Sequence, residues 1–229
     1  MKSKPKFCPS LMCLDLLRPE SQLDALSRRA DIGHLDIMDG HFAPNLAISP
    51  GQVRAFRQAS SLPMEAHLMV TNPEFWIDVF AETGVEEITI HRETIDSNAF
   101  RLIRRIRELG RSPGLALCPA TPVEHAAHLL DSIGVLAIMT VDVGYSGQKF
   151  IPQMLQKVES ARELREKYRY NYEIQVDGGC GLDTFNALRQ AGADRFVLGS
   201  SLFGYERDIN AAFDRVLREY KEATGEEPR

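Results

Sequence analysis

Eight short apolar segments alternate with amphipathic stretches along this 229-residue chain, and no other feature restricts its fold so tightly. Strands are predicted near Phe7–Met12, His34–Met38, Met64–Val70, Glu87–His91, Pro113–Leu117, Leu136–Val141, Glu173–Val176 and Arg195–Leu198. Helical periodicity covers Pro19–Arg29, Pro50–Gln58, Pro73–Thr83, Asn98–Leu109, Val123–Leu130, Pro152–Tyr168, Leu182–Gln190 and Ile209–Ala223. Glycine follows several of these helices, in "AETGVEE", "RELGRSP" and "RQAGADR", as expected at helix C-termini. Strands that alternate with helices predict a parallel sheet. Eight such units in a chain of this length fit a closed (β/α)8 TIM barrel better than an open doubly wound sheet. No linker or low-complexity tract divides the chain, so one domain over 1–229 is expected, with the tail "ATGEEPR" frayed.

Composition narrows the function. Hydrophobic residues at 44% and charged residues at 26% are ordinary for a globular protein with a sizeable core. A net charge of −5 argues against a nucleic-acid partner, which calls for a basic face. No apolar run is long enough for a membrane span, and no signal-peptide-like block follows the first lysines, so a cytoplasmic location is expected. Cys8, Cys13, Cys118 and Cys180 form no CxxC pair and read as reduced thiols in or near the core.

In a barrel of this kind, function gathers at the C-terminal ends of the strands. Side chains alternate along a strand, so His34, Asp36 and Met38 share one face of "HLDIM", while Leu35 and Ile37 share the other. The apolar pair suits the helix-packed outside, which turns the histidine, the aspartate and the methionine into the barrel mouth. Glu65, His67 and Met69 repeat the device in "MEAHLMV", and Asp177 ends the seventh strand in "YEIQVDGG". Isolated buried charges are costly unless paired or metal-bound. His34, Asp36, His67 and Asp177 therefore read as one mixed nitrogen–oxygen site for a single divalent ion such as Zn, Mn, Co or Fe.

Three glycine-bearing loops follow the last strands: "DVGYSGQ" after the sixth, "VDGGCG" after the seventh and "VLGSSLF" after the eighth. Glycine lets backbone N–H groups approach phosphate oxygens, and late βα loops of barrels often bind phosphate. Gly199 and Ser200 stand at a predicted helix start. Met12, Met38, Met69 and Met139 fall at or near inner strand ends, where core packing and a dry collar over a reactive intermediate are equally compatible with the pattern. Ser10 reads as a hydrogen-bond donor or a turn serine, and His91 as a substrate contact or a strand cap. His41, His125 and His128 read as solvated. A divalent ion, two carboxylates and a phosphate handle suit inversion at a carbon next to a carbonyl, one carboxylate removing a proton and the other returning it.

The motifs "HLDIMDGHFAPN", "AHLMV", "MTVDVGYSGQKF", "VDGG" and "LGSSLF" resemble those of ribulose-phosphate 3-epimerases, in order and spacing, from about Cys8 to Phe213. The resemblance implies metal ligands at His34, Asp36, His67 and Asp177, an acid/base pair at Asp36 and Asp177, and a methionine collar at Met38, Met69 and Met139. It implies substrate contacts at Ser10 and His67, and a phosphate site at Gly144, Tyr145, Ser146, Gly147, Gly178, Gly179, Gly199 and Ser200. Within that superfamily, "PSLMCLDLL" and "HRETIDSNAFRLIRRIRELG" are more similar to the allulose-6-phosphate branch. The family loop PGFGGQ reads VGYSGQ here, with Val143 for proline and Ser146 for glycine.

A metal-free phosphate barrel with a DxKxxD pattern is the nearest rival, but Met38 stands where its lysine would. A non-catalytic sugar-phosphate sensor would need no second carboxylate. The expectation is a metal-dependent ketose-phosphate 3-epimerase acting on allulose 6-phosphate and fructose 6-phosphate, with ribulose 5-phosphate and xylulose 5-phosphate as the alternative pair. A homo-oligomer is expected.

Overall fold

A computed structural model describes residues 4–204 and 206–228. Eight parallel strands form one sheet: β1 (Lys6–Pro9), β2 (Gly33–Met38), β3 (Met64–Met69), β4 (Glu87–His91), β5 (Ser112–Leu117), β6 (Val135–Met139), β7 (Glu173–Asp177) and β8 (Arg195–Leu198). The order around the wall is β1-β8-β7-β6-β5-β4-β3-β2. A parallel bridge between Ser10 and His34 joins β1 to β2 and closes the ring. The result is the expected (β/α)8 barrel.

The outer layer carries α1 (Pro19–Ser27), α2 (Pro50–Ala59), α3 (Pro73–Ala81), α4 (Ala99–Glu108), α5 (Met154–Tyr168), α6 (Leu182–Ala191), the short α7 (Ser200–Phe203) and α8 (Ile209–Thr224). Proline opens α1, α2 and α3, where its missing N–H costs nothing. Ser49 and Gln52 form a capping box on α2. Leu35 and Ile37 face the helices within the main core, as the alternation requires.

The N-terminal end of the barrel is closed by ions. Arg195, at the start of β8, reaches Glu87 with both terminal nitrogens, at 2.7 and 3.1 Å, and also bonds Glu173. Lys6 donates to the same Glu173. Above this layer the interior packs tightly: a Cβ on Gly114 would sit 2.1 Å from Thr89 Oγ1, so β5 admits no side chain there.

Two expectations are corrected. Residues Val123–Leu130 do not form an α-helix. Two 3₁₀ turns, Val123–Ala126 and Leu130–Ser132, bridge β5 and β6 instead, with i and i+3 side chains still sharing a face as the helical pattern required. The tail is not frayed as far as Glu226: Gly225 caps α8 at φ 70°, and Glu226 then accepts bonds from Arg189 and Tyr220.

Candidate active site

Four ligand-type atoms converge at the C-terminal mouth. One atom each from His34, Asp36, His67 and Asp177 lies within 4.8 Å of every other. His34 Nε2 is 3.4 Å from Asp36 Oδ1 and 3.4 Å from Asp177 Oδ2. His67 Nδ1 is 3.4 Å from the same Asp177 oxygen and 3.3 Å from His34 Nε2. β2 and β7, which carry the two aspartates, are separated in the wall by β1 and β8. The carboxylates thus approach one point from different parts of the ring.

These residues suit a divalent cation. Asp177 Oδ2 is buried and makes no hydrogen bond, although lone pairs crowd around it. Asp36, Glu65 and Asp177 bring three carboxylates into a buried space where, among the described residues, no lysine or arginine bonds them. Burial alone would lower the His34 pKa, but Asp36, Glu65 and Asp177 outweigh it and hold it well above the usual value. Burial would raise Asp177, yet His34 and His67 keep its carboxyl well below the ordinary range. The His34 shift expresses the negative charge gathered around it. Two imidazoles and two carboxylates are an ordinary donor set for a borderline divalent ion.

Support comes from deeper in the barrel. His34 Nδ1 lies 2.9 Å from Glu65 Oε2, which holds a proton on Nδ1 and turns Nε2 toward the cluster. Glu65 is fully buried and also accepts from Thr89 and from Gln175 Nε2, the latter at 2.9 Å. Burial opposes its ionisation, but His34, His67 and the Thr89 hydroxyl lower its pKa to about 2. On the opposite carboxylate, Ser10 Oγ donates to Asp36 Oδ2 at 2.5 Å.

A cavity opens beside the cluster. Asp36 and Asp177 line it together with Ser10, Met12, Met38, Met69 and Met139. Its wall also includes Gly144, Tyr145, Ser146, Gly147, Gly178, Gly179, Gly199 and Ser200, so both predicted constellations meet in one space. Met38 and Met69 pack with Ala43, and Met12 and Val143 lie against them. Val143 thus extends the apolar collar. Ser146 Oγ accepts from the Cys13 thiol at 3.6 Å. Gly178 holds φ 114°, and a Cβ there would sit 2.4 Å from Val141 Cγ2, so only glycine fits.

Two further loop contacts shape the mouth. Tyr145 Oη donates to the Pro44 carbonyl at 2.9 Å, and Asn45 Nδ2 donates to the Gly144 carbonyl at 2.8 Å. The loops after β2 and β6 are thereby tied together over the cavity.

The histidines stand behind this cavity rather than on its wall. His34, His67 and His91 are fully buried. His91 is corrected as a substrate contact: Nε2 faces His67 Nε2 at 2.9 Å, Nδ1 faces Glu93 Oε2 at 3.1 Å, and Phe42 covers the ring with centroids 4.6 Å apart. Burial lowers its pKa to about 4. His41, His125 and His128 are exposed, as expected. Cys8 and Cys180 are buried, and all four cysteines are free thiols.

Gln175 and Glu93 were not legible as site residues by motif. Gln175 sits two residues before Asp177 on the same strand face, so alternation alone would have found it. Glu93 lies in the 3₁₀ turn Arg92–Thr94 after β4, where alternation no longer applies.

Residues 6–203 match the Ribulose-phosphate 3 epimerase family. The chain belongs to that family. Its members are isomerases, and this family chain shares 39% identity over 203 residues with the cytoplasmic isoform of ribulose-phosphate 3-epimerase from Oryza sativa, covering 87% of each protein. The Mycobacterium tuberculosis ribulose-phosphate 3-epimerase is 36% identical over 214 residues, which is 93% of this chain and 92% of that protein. A mutant tryptophan synthase α-subunit from Pyrococcus furiosus superposes with a TM-score of 0.69 over 97% of this chain and 100% of its own, at 18% identity, a likeness of fold. Among the described residues, no helix is long and apolar enough to cross a membrane.

Proposed function

We propose that this chain is a divalent-metal-dependent 3-epimerase that interconverts ribulose 5-phosphate and xylulose 5-phosphate. The observation that carries this reading is the placement of Asp36 and Asp177, each 3.4 Å from His34 Nε2 and both on the cavity wall. One carboxylate, ionised, takes the proton from C3 on one face of the sugar. The other, protonated, gives its proton to C3 on the opposite face. The electron pair released from the C3–H bond is held as an enediolate over C2 and C3 until the second proton arrives. Each turnover exchanges the protonation states of the two aspartates.

His34, Asp36, His67 and Asp177 would hold a divalent cation, which would supply positive charge beside the reacting carbon when bound. Ser10 anchors one oxygen of Asp36, while the two imidazoles flank Asp177, so the two acids sit in different surroundings. The methionines exclude water from the carbanion without offering a proton. Backbone N–H groups of Gly144–Gly147, Gly178–Gly179 and Gly199–Ser200 receive the phosphate, whose binding energy positions C3.

The relatives reported above bear the ribulose-phosphate name across nearly their whole length, which favours the pentose pair. One feature favours the hexose pair: Met12, within the motif that resembles the allulose branch, lines the cavity. Assay of zinc-, manganese-, cobalt- and iron-loaded enzyme on both ketose phosphates decides between them. A higher kcat/KM on ribulose 5-phosphate is expected. A higher value on allulose 6-phosphate would transfer the assignment, and no turnover of either by any loaded form would overturn it.

A further inference from the structure

His34 and His67 present different ring nitrogens to the cluster, Nε2 and Nδ1. His34 is fixed directly by Glu65. His67 has no carboxylate of its own on the far side. Its Nε2 instead lies 2.9 Å from Nε2 of His91, and the two rings stack with centroids 5.0 Å apart. Two imidazole nitrogens at that distance share a single hydrogen, so one donates and the other accepts.

We propose that Glu93 and His91 are positioning residues that hold His67 in the Nε2–H tautomer, keeping Nδ1 free as a metal ligand. The inference rests on the four-residue cluster binding a divalent ion, as in the function proposed above. His91 Nδ1 stands 3.1 Å from Glu93 Oε2. A carboxylate can only accept, so Nδ1 carries the hydrogen and His91 Nε2 is left as an acceptor. His67 Nε2 must then donate, and Nδ1 keeps its lone pair toward Asp177 and His34. The opposite tautomers would set a bare Nδ1 against a carboxylate and aim an N–H of His67 at the metal position.

Glu93 is itself held in place. Its Oε1 accepts the Cys118 N–H at 2.8 Å. His91 itself is fully buried under Phe42. Groups that orient a metal ligand through a hydrogen bond change metal affinity by about 10–100-fold when removed.

Zinc affinity, measured by chelator competition on the full chain, tests the relay apart from turnover. Glu93→Ala and His91→Phe are expected to bind zinc about 10–100-fold more weakly than the unchanged protein. Glu93→Gln, which keeps an acceptor oxygen, is expected to restore most of the loss. Long-range 1H–15N NMR of the zinc-loaded protein should show His67 protonated at Nε2 and ligated at Nδ1. Unchanged zinc affinity in both weakened variants, equal weakening in Glu93→Gln, or ligation through Nε2 of His67 would overturn the relay alone. Failure of the unchanged protein to bind zinc would overturn the metal reading, and the relay with it. Melting temperatures of the metal-free variants distinguish the relay from a general loss of structure, which would lower them in parallel with affinity and so contradict it.

Discussion

Ser10 Oγ donates to Asp36 Oδ2 at 2.5 Å, and the same Ser10 forms the bridge to His34 that closes the barrel between β1 and β2. The seam of the fold and one of its two acids are therefore built from one residue. Ser10→Ala keeps the backbone bridge and removes the donor. The expected outcome is a fall in kcat of about tenfold, with a stability loss of about 1 kcal/mol in urea titration. An unchanged kcat would mean that Asp36 needs no anchor.

Asp177→Asn removes one proton carrier and leaves the glycine loops untouched. Loss of about 10²–10⁴-fold in kcat is expected, since proton transfer by a positioned group contributes on that order. Binding of inorganic phosphate, read by calorimetry, should change less than threefold. Turnover near the original rate would contradict a second acid.

Glu65 acts at a distance from substrate. It is fully buried and accepts from His34, Thr89 and Gln175. Glu65→Ala orphans all three donors, and removing one partner of a buried ionic network costs about 3–5 kcal/mol. Urea unfolding of the metal-free protein measures this. A change below about 1 kcal/mol would show that the network contributes little to stability.

Much of this site was legible from alternation alone. His34, Asp36 and Met38 share a strand face in "HLDIM", and the structure puts both ionisable groups at the mouth with Leu35 and Ile37 against the helices. The fold followed from the same signal, because βα repeats leave the chain few ways to bury eight apolar strands. What alternation could not show was depth. His91 ends β4 as His67 nears the end of β3, yet His67 stands in front of it, and only the packing of neighbouring strands reveals which ring reaches the ligand cluster. Glu93 escaped because a turn breaks the period two residues earlier. The segment after Pro122 carried helical periodicity but forms 3₁₀ turns, whose three-residue period a stretch this short does not separate from an α-helix.

Acid should loosen the loop after β2. Burial opposes ionisation of Asp39, but the N–H groups of Thr71, Phe42 and His41 and the Thr71 hydroxyl lower its pKa to about 2. A depressed folded pKa contributes stability that is present above the unfolded value, about 4, and lost as pH falls toward the folded one. Asp39→Asn should therefore melt at a lower temperature than the unchanged protein at pH 7, and the gap should close between about pH 4 and pH 2. A gap that persists at pH 2 would assign the effect to shape rather than charge.

Proton exchange at C3 tests the two-acid scheme most directly. Ribulose 5-phosphate is turned over briefly in D2O by the metal-loaded enzyme, and product and remaining substrate are examined by mass spectrometry and NMR. Two separate acids on opposite faces should give xylulose 5-phosphate deuterated at C3 from the first turnovers, while the recovered substrate stays protiated. Product that keeps its original hydrogen, or substrate that gains deuterium as fast as product, would show a single group serving both faces and contradict the roles given to Asp36 and Asp177.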